Sequence, residues 1–272
     1  MSDFSVLASL FSYQFFQFAV LGGILAGSAC AMVGVFIVLK KQSMLGDGLA
    51  HASFGGIAIG LFLGLLPLLT ALLVSILTVL AISYMRRHGI APSDASIAVF
   101  LALGFATGLV LISLSGGFSV DLFSYLFGSI LTINAMDLMV IGLLGLTIII
   151  FMLVFYKEIV ALCFDENFAK LSGIPVTTFN LVFDVLVAIT IVISIKIVGV
   201  ILVSALVVIP ALSALQLNLS FRRTMVASVA IAIVSVITGI ITSALVGVAT
   251  SGMIVFIAGA IFVICAIYKK LG

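Results

Sequence analysis

Long apolar runs, broken by short polar stretches, recur from one end of the chain to the other. Nine can be drawn, at 15–39, 47–66, 68–85, 93–114, 135–156, 176–196, 198–216, 224–245 and 252–268. A helix needs about 20 apolar residues to cross about 30 Å of hydrocarbon. Only helices and closed barrels satisfy their backbone groups there. The pattern therefore predicts an all-α, polytopic membrane helix bundle with about nine transmembrane helices, forming one domain over residues 1–272. Two shorter apolar pieces do not reach spanning length. Residues 4–14 read as an interfacial segment, and residues 119–131 as a short interfacial or re-entrant helix between the fourth and fifth spans.

Composition removes the soluble alternatives. Apolar residues make up 65% and charged residues 7% of the 272, with a mean hydropathy of +1.55. Water-soluble domains carry roughly 25% charged residues. A soluble catalytic domain and a nucleic-acid-binding module are excluded, and lipid is the expected surroundings. The first 39 residues contain no Lys or Arg, so the basic region of a cleaved signal peptide is missing and the first run is expected to stay. Cys30, Cys163 and Cys265 are widely spaced and read as packing residues.

The placement of basic residues orients the bundle. Lys40, Lys41, Arg86, Arg87, Lys157, Lys170, Arg222, Arg223, Lys269 and Lys270 all fall on one side if nine spans start from an external N-terminus. The rule that cytoplasmic loops collect Lys and Arg then predicts a multi-pass protein of the cell membrane with a cytoplasmic C-terminus. Lys196 is the exception.

Ionisable groups inside spans are costly and mark function. Asp47 and His51 stand four apart at the start of the second span, on one helical face. One carboxylate oxygen and one imidazole nitrogen can hold a borderline divalent cation. Two ligands fall short of a structural zinc site, and that shortfall suits an ion that must be released. The plainer alternative is an Asp–His hydrogen bond satisfying two buried groups. Asp94, after Pro92-Ser93, is expected to cap the fourth span. Asp121 lies in the short segment and reads either as a steering acid or as a solvated turn residue. Asp184 and Lys196 sit in the sixth span, twelve residues and about three turns apart, so each needs its own partner on another helix or in water. Asp121, Asp184 and Lys196 are the positions set aside for a pathway or gate.

The longest polar loop runs from Lys157 to Thr178. Within it, Asp165 to Gly173 is expected to form a short amphipathic helix closed by Gly173 and Pro175. No GxxxxGK[ST] loop occurs, so ATP is not expected to bind this chain through a P-loop. No nucleophile–base pair or HExxH pattern points to an enzyme.

These stretches resemble the membrane permease subunit of bacterial and archaeal ABC importers for zinc and manganese. The matching segments are Leu39 to Ser53, containing Gly46-Asp47-Gly48-Leu49-Ala50-His51; Val120 to Leu131; Phe164 to Ala169; and Lys196 to Ala211, containing Val198-Gly199 and Pro210-Ala211. The resemblance implies a homodimer of permeases, each docked on a cytoplasmic ABC ATPase and fed by an extracellular or periplasmic metal-binding protein. It places Asp47 and His51 on the metal path. It makes Phe164, Asp165, Glu166, Phe168, Lys170, Leu171 and Gly173 the loop that couples to the ATPase. No permanently bound cofactor is implied, only transported Zn²⁺ or Mn²⁺. Manganese-type members read Ser-His-Ala-x-x-Pro-Gly after the Asp, whereas this chain has Ala50-His51-Ala52-Ser53-Phe54-Gly55-Gly56. That looks closer to zinc-type members, as does Lys196 before Val198-Gly199. Thr250-Ser251-Gly252 lacks the family's usual Pro, and Asp184 is unusual.

The reading is thus a zinc, or else manganese, permease driven by a partner's ATP hydrolysis and working by alternating access. Its competitor is an ion-coupled secondary transporter in which Asp184 and Lys196 handle protons. A non-transporting membrane scaffold is a third class.

Overall fold

A computed structural model describes residues 12–117, 120–129 and 133–271. The expected surface segment at 4–14 lies almost wholly outside them. The described residues form twelve helices: α1 (Gln14–Leu39), α2 (Met44–Leu63), α3 (Pro67–Arg87), α4 (Ser93–Leu114), α5 (Val120–Phe127), α6 (Ala135–Val154), α7 (Tyr156–Phe164), α8 (Glu166–Leu171), α9 (Val176–Val198), α10 (Val203–Gln216), α11 (Phe221–Val246) and α12 (Thr250–Leu271). Eight of these are long and apolar enough to cross a membrane, and α10 is a shorter apolar ninth. The all-helical bundle expected from the hydropathy pattern is the architecture found.

Burial sorts the helices into centre and rim. In α1, α2 and α9, 78, 72 and 72% of the apolar window is enclosed by the chain, against 17, 22 and 22% in α4, α6 and α12. α1 is ringed by α6, α9, α10 and α11, while α2 lies between α3 and α4. Water expulsion does not drive contacts within lipid, so close backbone approach and buried polar pairs must hold the helices. Both occur. A Cβ added to Gly34 of α1 would overlap the carbonyl oxygen of Val207 in α10 and come within 3.0 Å of its carbon. Ser53 and Ser75 share a hydrogen bond of 2.6 Å between α2 and α3, and Cys30 and Ser194 one of 3.1 Å between α1 and α9. All three cysteines are free.

Two boundaries and one cap differ from the sequence expectation. The seventh span starts its helix at Val203, not at 198, because Gly199 (φ 81°, ψ 161°) takes a conformation open in practice only to glycine. α10 is then 14 residues long, about 21 Å. The fifth span ends at Val154, and Phe155 turns the chain into a separate helix, α7. Asp94 makes no cap; Pro92 is the N-cap residue, and Asp94 lies in the first turn of α4, where its charge favours the helix dipole.

Residues 199–202 and the short α5 complete each other. Val200 N–H donates to Tyr125 O (3.0 Å), Ile201 N–H to Leu126 O (3.3 Å), and Ser129 N–H to Lys196 O (3.2 Å). Ser251 Oγ, at the start of α12, donates to Phe127 O. The short helix expected between the fourth and fifth spans is thus present and packed on the residues that lead into α10. Beside it, Lys196 Nζ forms a 3.0 Å ion pair with Asp137 and lies 5.6 Å from the Tyr125 ring centroid. Asp137 also closes the α6 capping box with Asn134. The Lys196 and Asp137 side chains are only 15 and 14% exposed, and removing one partner of a buried pair strands the other charge. Lys196→Met is expected to lower stability by about 3 kcal/mol, measured as thermal unfolding in detergent. Lys196→Met with Asp137→Asn, which keeps a capping acceptor, should recover most of that loss.

Candidate metal path and the loop at 165–173

The first turn of α2 carries Asp47, and His51 stands one turn further along the same face. Both are half-buried, while Leu49, Ala50 and Ala52 between and beside them are buried. Small residues let neighbouring helices reach this turn. A Cβ on Gly104 of α4 would stand 2.6 Å from Ala52 Cα and 2.7 Å from His51 O, and one on Gly48 would stand 2.6 Å from Ile97 Cγ2. Gly46 faces Ser204 of α10. Gly48 and Gly104 thus set the distance at which α4 backs the helix that carries Asp47 and His51.

His51 is held edge-on against Phe105, with ring centroids 5.2 Å apart and an interplanar angle of 86°; Phe54 tilts against the same ring. Its Nδ1 is buried without a hydrogen-bond partner. The plainer reading, an Asp47–His51 hydrogen bond, is not met through this nitrogen. A buried, uncommitted ring nitrogen one helical turn from a carboxylate leaves an N and an O donor available to a cation. Among the described residues no group of three or more His, Cys, Asp or Glu converges, so the pair offers two donors without a third from this chain.

The other predicted positions lie elsewhere. Asp121 is in α5, and its side chain lies outside the described residues. Asp184 is 4% exposed and pairs with Arg86 of α3 (Nη2 to Oδ2, 3.1 Å), its Oδ1 having no partner. Lys196 pairs with Asp137. The sequence required separate partners for Asp184 and Lys196 and did not identify them; Arg86 and Asp137 lie 98 and 59 residues away along the chain. Each had a weak local signal, being a charged residue within a turn of a predicted span end.

The loop expected at 165–173 forms α8. Asp165 is its N-cap, accepting from Asn167 N–H (2.8 Å) and Phe168 N–H (3.1 Å). Gly173, at φ 83°, lets the chain reverse into α9. Ala169 is fully buried and anchors the helix, whereas Phe164, Phe168 and Leu171 are exposed. Glu166 accepts a 3.0 Å hydrogen bond from Asn180 of α9. The result is a short helix that presents Phe168 and Leu171 outward, with Phe164 exposed at the end of α7.

Comparison with known proteins covers nearly the whole chain. Residues 12–269 match the model of the ABC 3 transport family. The manganese transport system membrane protein MntC of Halalkalibacterium halodurans is 30% identical over 260 residues, spanning 96% of this chain and 89% of that protein. The chelated iron transport system membrane protein YfeD of Yersinia pestis is 31% identical over 273 residues, spanning 98 and 90%. The solved structure of PsaBC from Streptococcus pneumoniae in complex with Fab superposes with a TM-score of 0.87 at 29% identity, covering 97% of this chain and 98% of the matched one.

Proposed function

The chain belongs to the ABC 3 transport family, and from that premise we propose that it is the permease of an ATP-driven importer for a first-row divalent metal, with manganese ahead of zinc. It is a multi-pass membrane protein and a transport subunit. The Asp47–His51 pair, with its uncommitted Nδ1 on the same face as a carboxylate, carries the reading. An oxygen and a nitrogen donor serve manganese, iron and zinc alike, so the donor set leaves the metal open. MntC and YfeD are named for manganese and for chelated iron, and this moves the preference away from the zinc that the residues after His51 suggest.

The remaining assignments rest on physical requirements. Two ligands on a half-exposed helix face would hold a dication against hydrocarbon, which is prohibitive. Phe105 of α4, whose ring meets His51, and Leu109 one turn further along are exposed on that side. A second copy covering this face would enclose the path and bring its own Asp47 and His51. The basic end of the bundle faces the cytoplasm, where the outward Phe164, Phe168 and Leu171 would seat on a separate ATPase chain. An external metal-binding protein would deliver the ion. Exchanging access between the two sides carries it through, with Asp47 and His51 standing in briefly for its hydration water.

Vesicles containing the permease with its ATPase, loaded with ATP and the metal-binding protein, test this directly. Manganese should accumulate only with ATP and outcompete equimolar zinc. Accumulation driven by an ion gradient without the ATPase would return the secondary transporter. Zinc uptake without manganese uptake would reverse the metal preference.

A further inference from the structure

One face of the first three turns of α9 gathers the ends of other elements. Thr177, Asn180 and Asp184 are spaced at three and four residues and so share that face. Each receives a basic side chain from a different position: Arg87 Nη2 donates to Thr177 O (2.9 Å), Lys40 Nζ donates to Asn180 Oδ1, and Arg86 pairs with Asp184 (3.1 Å). Lys40 also lies over the Phe183 ring, 5.4 Å from its centroid. Thus α1 and α3 both end on α9.

Asn180 differs from the other two in reaching outward as well. Its amide nitrogen donates to Glu166 Oε1 of α8 at 3.0 Å, so a single side chain bridges α8 to the end of α1. Lys40 is the C-cap residue of α1, and the turn after it is tight: Lys41 has φ 57°, Gln42 N–H donates back to Ile37 O at 2.9 Å, and α2 begins at Met44. A turn closed this way moves as a unit, and Asp47 lies in the first turn of the helix it leads into. The line Glu166–Asn180–Lys40 therefore joins the helix that presents Phe168 and Leu171 to the helix that carries the two candidate ligands.

The geometry points to Asn180 as a positioning residue that couples displacement of α8 to the α1–α2 turn and hence to Asp47 and His51. This rests on the importer reading, in which α8 is moved by the ATPase. A side chain with both a donor and an acceptor is required, since Glu166 offers only an acceptor and Lys40 only donors. Leu at 180 would match the volume and break both bonds. Asp at 180 would keep the Lys40 bond, lose the donor and set a like charge against Glu166. Adding Glu166→Gln would supply a donor from the other side and rebuild the bridge with reversed polarity.

The test measures metal accumulated per ATP hydrolysed by the complete permease–ATPase complex in vesicles, alongside copurification of the ATPase. Asn180→Leu and Asn180→Asp should copurify normally and hydrolyse ATP, yet move about tenfold less metal per ATP. Asn180→Asp with Glu166→Gln should return to within about twofold of the unsubstituted ratio. An unchanged ratio in both single variants overturns the assignment, as does a fall in uptake and hydrolysis together that leaves the ratio intact. If Asn180→Leu does not fold, the Asp variant and its double decide alone, and a double no better than Asn180→Asp sinks the proposal. Absence of ATP-driven uptake by the unsubstituted complex would sink the importer reading and this one with it.

Discussion

His51→Ala is expected to reduce metal uptake by about a hundredfold or more while leaving expression, membrane insertion and association with the ATPase intact. The size is set by the ligand count. Changing residues that merely support a metal ligand typically costs 10–100-fold, and here the nitrogen ligand itself is removed from every copy. Nothing nearby replaces it, because no third His, Cys, Asp or Glu converges among the described residues. The packing cost is small: His51 is half-buried and meets Phe105 only edge-on. Uptake of radioactive manganese by vesicles, with ATPase copurification as control, measures both halves of the expectation. Uptake within a few fold of the unsubstituted protein would remove His51 from the metal path. The same chemistry sets a pH dependence. Only neutral imidazole ligates, so uptake should decline as the side facing the pair is acidified, and Asp47→Asn should lower uptake without abolishing that decline.

Gly34→Val is expected to prevent accumulation of folded protein, and Gly34→Ala to lower stability by about 3 kcal/mol or more. The obstacle is backbone. A Cβ at 34 overlaps the Val207 carbonyl oxygen, and a carbonyl fixed in a helix cannot rotate aside as a side-chain tip would. Relief requires α1 and α10 to separate. Pro210 sits three residues past Val207, inside α10, and it already leaves the helix one hydrogen bond short. Thermal unfolding in detergent and the monodisperse yield on size exclusion would show the effect. A Gly34→Ala variant that melts within about 2 °C of the unsubstituted chain would mean the two helices separate at negligible cost.

The parts of this protein that were legible in its sequence are those fixed by local pattern. Apolar runs of spanning length pointed to the bundle, because lipid leaves the backbone no other open-ended choice. Asp47 and His51 were readable because their relation depends only on helical periodicity. The helix after Asp165 was readable from an N-cap acid and a closing glycine. What escaped is non-local or a matter of backbone torsion. Lys196 and Asp184 carried the message that each needs a partner, but the identity of Asp137 and Arg86 is a fact of tertiary packing. Gly199 gave no warning that the seventh span would begin several residues late, since Val198-Gly199-Val200 is as apolar as any helix interior. The break at Phe155 lay in an unbroken run from Ile148 to Tyr156 with neither Pro nor Gly to announce it.

The pairing of α5 with residues 196–201 carries a consequence for how the chain is built. About seventy residues separate the two halves, and both expose peptide groups that hydrocarbon will not solvate. During synthesis, α5 leaves the ribosome before Val200 and Ile201, whose N–H groups its carbonyls accept from, have been made. Its carbonyls therefore stay without these partners until α9 and the turn after it have been made. Assembly of this region is obligately late, and a chain truncated before Gly199 should keep α5 accessible to water-soluble labelling reagents.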